Sequence, residues 1–243
     1  MNVFKGGAFV ALLVLLHYVK RTQGWRVTVG LVLYLTIMAT VREWTVVHLS
    51  LATNHPPPYA ANPSLGHLAG VNVVVVVGWV FTTILSFCLA RMIQRRQFPD
   101  TSLFLTLVLT ALVTTTISYA VEITGMRMNL WTWKTPDPVA WLPFDWPFDA
   151  FEGWASTSFL FMLGYSAVRY RLLARNAWVS AAIAFALAAF TALADLAQPL
   201  LGPASPRKKV MVVYMIAAVF LGFRSPGGRE TASHPPTARA RWK

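Results

Sequence analysis

Long apolar runs broken by short polar stretches recur along this chain. Seven of them reach the length needed to cross ~30 Å of hydrocarbon: Val3 to Val19, Val27 to Leu49, Gly70 to Leu89, Ser102 to Ile123, Phe151 to Val168, Ala177 to Ala197 and Val210 to Phe223. The last is the shortest and lies at the lower edge of the spanning range. The pattern predicts an all-α, polytopic transmembrane bundle of about seven spans over residues 1–224. Residues 225–243, rich in Gly, Pro and Arg, read as a disordered basic tail. Lys5 precedes the first run and Tyr18, Val19, Lys20 and Arg21 close it, with no small-residue cleavage site. It is therefore expected to be a retained helix rather than a removed signal peptide.

Composition agrees. With 56% hydrophobic and 12% charged residues, the chain cannot cover itself with a polar surface, and a multi-pass location in the cell membrane is expected. Basic residues cluster after alternate spans: Lys20, Arg21 and Arg26 after the first, Arg91, Arg95 and Arg96 after the third, Arg169, Arg171 and Arg175 after the fifth, and five more in the tail. Those are 14 of the 21 Lys and Arg, and the positive-inside rule then predicts the N-terminus outside and the C-terminus inside. The net charge of +12 is thus mainly a topology signal and an attraction to anionic membrane lipid. Without a basic motif on a recognisable fold it gives no ground for nucleic-acid binding. Cys88 is the single cysteine, so neither a disulfide framework nor a thiol metal cluster is expected.

The carboxylates partition the other way. Seven of nine, Glu43, Glu122, Asp137, Asp145, Asp149, Glu152 and Asp195, fall in outer halves of spans or in outer loops. A charge within hydrocarbon costs roughly 2.5–3.5 kcal/mol even on insertion scales, so such acids are expected to be paired, neutral or facing a polar cavity. Thr36, Thr40 and Glu43 recur at i, i+4, i+7, a polar face leading to an acid. Arg42, adjacent in sequence, is expected to point elsewhere on that helix. Thr115, Ser118 or Tyr119, and Glu122 form a second stripe, after which Gly125 permits the helix to end. Asp149 and Glu152 share one face at the start of the fifth span, where two close carboxylates would keep one proton between them and supply a general acid. An acidic helix N-terminus favouring the dipole is the plainer reading of the same pair. Thr191, Asp195 and Gln198 stack before Pro199 ends the sixth. His48, His55 and His67 match no zinc spacing, and no metal or cofactor is expected. Asn72 offers a hydrogen-bonding group at the start of the third span. No phosphate-binding glycine loop or serine-hydrolase elbow is present, and the last span lacks the internal Lys that a retinal protein needs.

The densest chemistry lies between Tyr119 and Trp154, which holds five of the ten Trp, Trp131, Trp133, Trp141, Trp146 and Trp154, and five of the nine acids. The Pro-interrupted part, Met126 to Phe148, is expected to lie at the membrane interface with its indoles at headgroup depth. Glu122, Gly125, Trp131, Trp133, Pro143, Pro147, Gly153 and Trp154 resemble the frame of the integral-membrane carotenoid biosynthesis family of the bisanhydrobacterioruberin hydratase type. The resemblance covers about 35 residues plus the span pattern; where that family commonly has a second Gly, four positions after the first, this chain has Asn129. It implies a membrane enzyme that protonates an alkene of a lipid-soluble isoprenoid and adds water without metal or nucleotide; the same carboxylates and indoles would equally serve a terpene or carotenoid cyclase, in which a second alkene captures the cation. A non-catalytic carrier or receptor, with the acids in ion pairs, is the alternative from another class. Glu122, Glu43, Asp149, Glu152 and Asp195 are the expected catalytic acids, and Tyr119, Asn129, Trp131, Trp133, Trp146 and Trp154 the expected substrate-lining residues.

Overall fold

A computed structural model describes residues 2–53, 59–62, 66–98, 103–133 and 148–170, with isolated positions between 176 and 189. The first five predicted runs form helices: α1 (Asn2–Gln23), α2 (Trp25–Thr53), α3 (Val73–Gln97), α4 (Leu103–Arg127) and α5 (Phe148–Tyr170). Most of the sixth run, all of the seventh and the tail lie outside the described residues. Three helices, over Trp25–His48, Val73–Gln97 and Leu103–Arg127, are long and apolar enough to cross a membrane. The protein is therefore a mainly helical membrane protein.

Local chemistry sets the breaks. Gly24, at a φ of +86°, is the single residue between α1 and α2. Its N–H closes on the Lys20 carbonyl at 3.0 Å, and its carbonyl accepts from the Thr28 amide and hydroxyl at 3.1 and 2.9 Å. Glycine reaches this left-handed conformation without steric cost, so one residue ends one helix and turns the chain into the next. At the other end of α2, β2 (His67–Leu68) and β3 (Val71–Asn72) form a hairpin around Ala69 and Gly70, both at positive φ. This is the left-handed pair that a two-residue hairpin turn demands. Asn72 then caps α3, its Oδ1 accepting from the amides of Val74 and Val75 at 3.0 and 3.2 Å.

A second small ladder joins two loops distant in sequence. β1 (Tyr59–Ala61) pairs antiparallel with β4 (Trp131–Trp133), with Tyr59 opposite Trp133 and Ala61 opposite Trp131. The loop after α2 is thereby tied to the loop after α4, an addition to the purely helical expectation. α3 packs along α4, α4 along α5, and α2 and α1 flank α3. The core runs through Leu31, Leu35, Ile84, Phe87, Leu107 and the Phe159–Leu163 stretch of α5. Between Gly153 and Ala167 every α5 residue but Ser156 is buried. A helix buried on all sides belongs at the centre of a bundle.

The polar stripe of α4 is buried at Thr106, Thr110, Thr114, Thr115, Ser118 and Glu122. Three of its hydroxyls donate within the helix: Thr110 to the Thr106 carbonyl, Thr115 to that of Ala111, and Ser118 to that of Thr115. Back-bonding lets hydroxyls sit inside a bundle without outside partners. The stripe on α2 differs from expectation, because Thr36 and Thr40 are exposed while Glu43 is 2% exposed. Periodicity places the three on one face, but only at the level of Glu43 is that face covered, by Tyr59 and Trp79.

Removing the α3 cap by Asn72→Ala should lower stability by ~1 kcal/mol, and Asn72→Asp should restore most of it. Thermal unfolding of the purified protein in detergent checks both.

Candidate functional site

The site is built from two acids in spanning helices and the indoles that meet them. Glu43 on α2 accepts from the Trp79 Nε1–H of α3 at 3.0 Å, from the Tyr59 phenol of β1, and from the Arg42 guanidinium. Glu122 on α4 accepts from the Trp154 Nε1–H of α5 at 2.6 Å on one oxygen and from the Trp131 Nε1–H of β4 at 2.7 Å on the other. Indole N–H groups only donate, so each carboxyl oxygen facing one is an acceptor, the geometry suited to a carboxylate. The two centres meet through their indoles: the Trp79 and Trp154 rings lie 3.9 Å apart between centroids at 33°. Glu43, Trp79, Trp154, Glu122 and Trp131 thus form one continuous chain of contacts across α2, α3, α5, α4 and β4.

Trp79 is also the seat of a cation. The Arg42 guanidinium carbon lies 4.9 Å from its ring centroid while the same guanidinium bonds Glu43. This corrects the expectation that Arg42 points away from Glu43. Neighbouring residues diverge by about 100° around a helix, but the arginine stem is long enough to fold back to a carboxylate beside it. Both partners are buried, at 6% and 2% exposure.

Gly125 has a different role from the helix end assigned to it. α4 continues to Arg127, and the Gly125 carbonyl accepts from the Leu130 amide at 2.8 Å. A Cβ at Gly125 would fall 2.1 Å from Cζ2 of Trp131. The absent side chain is what lets the indole fold over α4 and reach Glu122 one turn earlier. Trp131 is accordingly half-buried against the helix and bonded to an acid rather than placed as an interface anchor. The turn that delivers it passes through Asn129 at a φ of +52°, with the Asn129 carbonyl accepting from the side-chain Nδ2 of Asn62 at 3.0 Å. Asn tolerates this left-handed conformation better than other non-glycine residues.

Among the expected acids, Glu43 and Glu122 therefore lie on one network. Asp149 and Glu152 fall in the first turn of α5, before Trp154, and their side chains lie outside the described residues, as do Asp145, Trp146 and Asp195. Trp133 is placed by its pairing with Tyr59, without its side chain. Tyr119 is half-buried against the core. Among the described residues, His, Cys, Asp and Glu form no group of three that could hold a metal ion. Sequence reasoning missed Trp79 and Tyr59. An indole N–H deep in an apolar helix needs an acceptor, a signal that could have singled out Trp79. Tyr59 sits in a Pro-rich loop with no comparable signal. Compared with known protein families, characterised proteins and solved structures, the chain matches none.

Gly125→Ala should destabilise the protein by ~1–3 kcal/mol through overpacking, whereas Gly30→Ala, whose added Cβ meets nothing within 4 Å, should be neutral or mildly stabilising. Thermal unfolding of the two variants side by side reads the difference. Glu43→Gln should cost ~3–5 kcal/mol because it removes the carboxylate that the buried Arg42 bonds, and the double variant Arg42→Met, Glu43→Gln should recover much of that loss. A double-mutant cycle on unfolding gives the coupling.

Proposed function

We propose that this protein is a membrane enzyme that protonates an alkene of a lipid-soluble isoprenoid, and that it hydrates the end group of a carotenoid. The observation that carries this reading is the linkage of two intramembrane acids, Glu43 and Glu122, through the stacked indoles of Trp79 and Trp154. Adding water to a trisubstituted alkene needs an acid to protonate carbon, surroundings that tolerate a tertiary cation, and a base to take the proton from water. Glu122 supplies the acid and the base in turn. Its carboxyl gives a proton to the less substituted carbon of the terminal alkene and leaves the tertiary cation on the other carbon of that double bond. The carboxylate that remains is met on both oxygens by the indole N–H groups of Trp131 and Trp154. Water then forms the C–O bond, and its surplus proton returns to Glu122, so no net acid or electrons are consumed. Aromatic faces attract cations, as the Arg42–Trp79 contact illustrates. The resemblance of the Glu122, Gly125, Trp131 and Trp154 frame to the carotenoid hydratases points the same way. Cyclisation differs only in the group that captures the cation, a second alkene in place of water.

A second reading has its own support. The buried Arg42–Glu43 pair, with Tyr59 and Trp79 completing its partners, is also what a purely structural staple between helices would be. On that reading the protein is a non-catalytic carrier or receptor.

In this proposal the chain crosses the cell membrane seven times with the N-terminus outside, and the substrate reaches the acids from the outer half. Reporter fusions should place Gln94 and the tail in the cytoplasm and Trp133 outside; the reverse would move the site to the inner leaflet.

Expression in a lycopene-producing host, followed by mass spectrometry of the pigments, separates the readings. A gain of one water supports hydration, an isomer of unchanged mass cyclisation, and unchanged pigment the non-catalytic reading. Glu122→Gln should reduce turnover on the order of 10²-fold or more. Its amide NH₂ would face one of the two indole donors, so activity is measured per folded protein. Full specific activity in folded Glu122→Gln would remove Glu122 from the chemistry.

A further inference from the structure

The opposite end of the bundle holds a second built feature. Where α1 ends beside α3, a cavity of about 210 Å³ is lined by Tyr18, Thr22, Gln23, Cys88, Met92 and three arginines, Arg91, Arg95 and Arg96. That volume is far above the ~10–15 Å³ that one water requires. Arg91 is half-buried and lies 5.7 Å over the Phe87 ring, which holds its guanidinium at the wall. Arg95 and Arg96 stand in the last turn of α3 at the mouth and are exposed. Among the described residues no carboxylate lies within ion-pair distance of these three, the single such pair being Arg42–Glu43. Asp100, four positions after Arg96 in the sequence, lies outside the described residues.

The lining also holds an unmet polar group. Oε1 of Gln23 is buried with no hydrogen-bond partner among the described residues. Turning the amide over would present its NH₂ there instead, since the two placements have the same shape. The Thr22 hydroxyl is committed to the Tyr18 carbonyl at 2.9 Å and contributes shape only. Cys88 and Met92 make part of the wall apolar. Around the cavity the bundle end is dressed as a membrane interface is: Trp25, Tyr18 and Phe98 are exposed, with Lys20 set 5.6 Å over the Trp25 ring.

We propose that this cavity binds a phosphate-bearing anionic headgroup, with Arg91, Arg95 and Arg96 as the charged donors and Gln23 and the Tyr18 phenol as neutral ones. Guanidinium forks match the tetrahedral oxygens of a phosphate, and a basic pocket between spanning helices at headgroup level is the form such lipid sites take. The apolar part of the wall suits the first carbons of a lipid better than a free ion. The site is independent of the chemistry at Glu122.

The test uses the full chain, purified in a neutral detergent, and reads the thermal midpoint against added phosphatidylglycerol, phosphatidylcholine, inorganic phosphate or glycerol phosphate. The expected result is a saturable rise with phosphatidylglycerol and none with phosphatidylcholine. The apparent affinity should weaken about fivefold for each charge removed in Arg91→Gln and in the exposed variants Arg95→Gln and Arg96→Gln. Arg21→Gln and Arg26→Gln, outside the lining, should leave it unchanged, and Asp100→Asn should not weaken it. A rise of equal size with inorganic phosphate or glycerol phosphate keeps the site and assigns it to a soluble phosphate. Equal weakening by Arg21→Gln and Arg26→Gln would reduce it to a diffuse field, and no response to any of the anions would remove it; either overturns the proposal.

Discussion

A buried carboxyl group must be met by donors, and this fold is arranged around meeting two of them. Glu43 and Glu122 stand on different helices, and the indoles that satisfy them come from the next helix in each case, Trp79 on α3 and Trp154 on α5. Each bond to a charged group contributes on the order of 1.5–3 kcal/mol in water-soluble proteins and rather less between membrane helices. Its greater effect is on register. An indole N–H reaches a carboxylate over only a narrow range of helix translation, so the two contacts fix α2 against α3 and α4 against α5. The Trp79–Trp154 stack then fixes α3 against α5, adding ~0.5–1.5 kcal/mol beyond the area it buries.

The connecting segments follow from the same requirement. Trp131 and Tyr59, the remaining donors, lie on β4 and β1, and those strands are paired to one another. The ladder is too short to be stable alone. It is held because each strand is anchored to an acid and because Gly125 leaves room for the Trp131 ring. Residues far apart in the chain, from Glu43 to Trp154, thus belong to one cooperative unit, and a change at Gly125 is expected to be felt at Glu122 through the displaced indole.

The two ends of the bundle carry opposite chemistry. Acids, indoles and strand-paired loops gather at one; the α1–α3 cavity with Arg91, Arg95 and Arg96 lies at the other.

Much of this was legible in the residues themselves. The positions of the five described helices followed from the apolar runs, because hydrocarbon thickness imposes a length and leaves few alternatives for backbone hydrogen bonds. Glu43 and Glu122 stood out because a charge in such a run needs a reason, and the Trp and Gly of the 119–154 stretch marked the surroundings of one of them. The partners were decided by tertiary structure alone. Periodicity placed Thr36, Thr40 and Glu43 on one face, yet only Glu43 is buried, because burial depends on what a loop sixteen residues away lays over it. Adjacency argued that Arg42 turns from Glu43, yet its flexible stem folds back. Trp79 stands in a Val-rich helix, and nothing in one sequence could say that its N–H faces Glu43 and its ring faces Trp154. A sequence records which groups must be satisfied; which neighbours satisfy them is settled when helices distant along the chain are brought side by side.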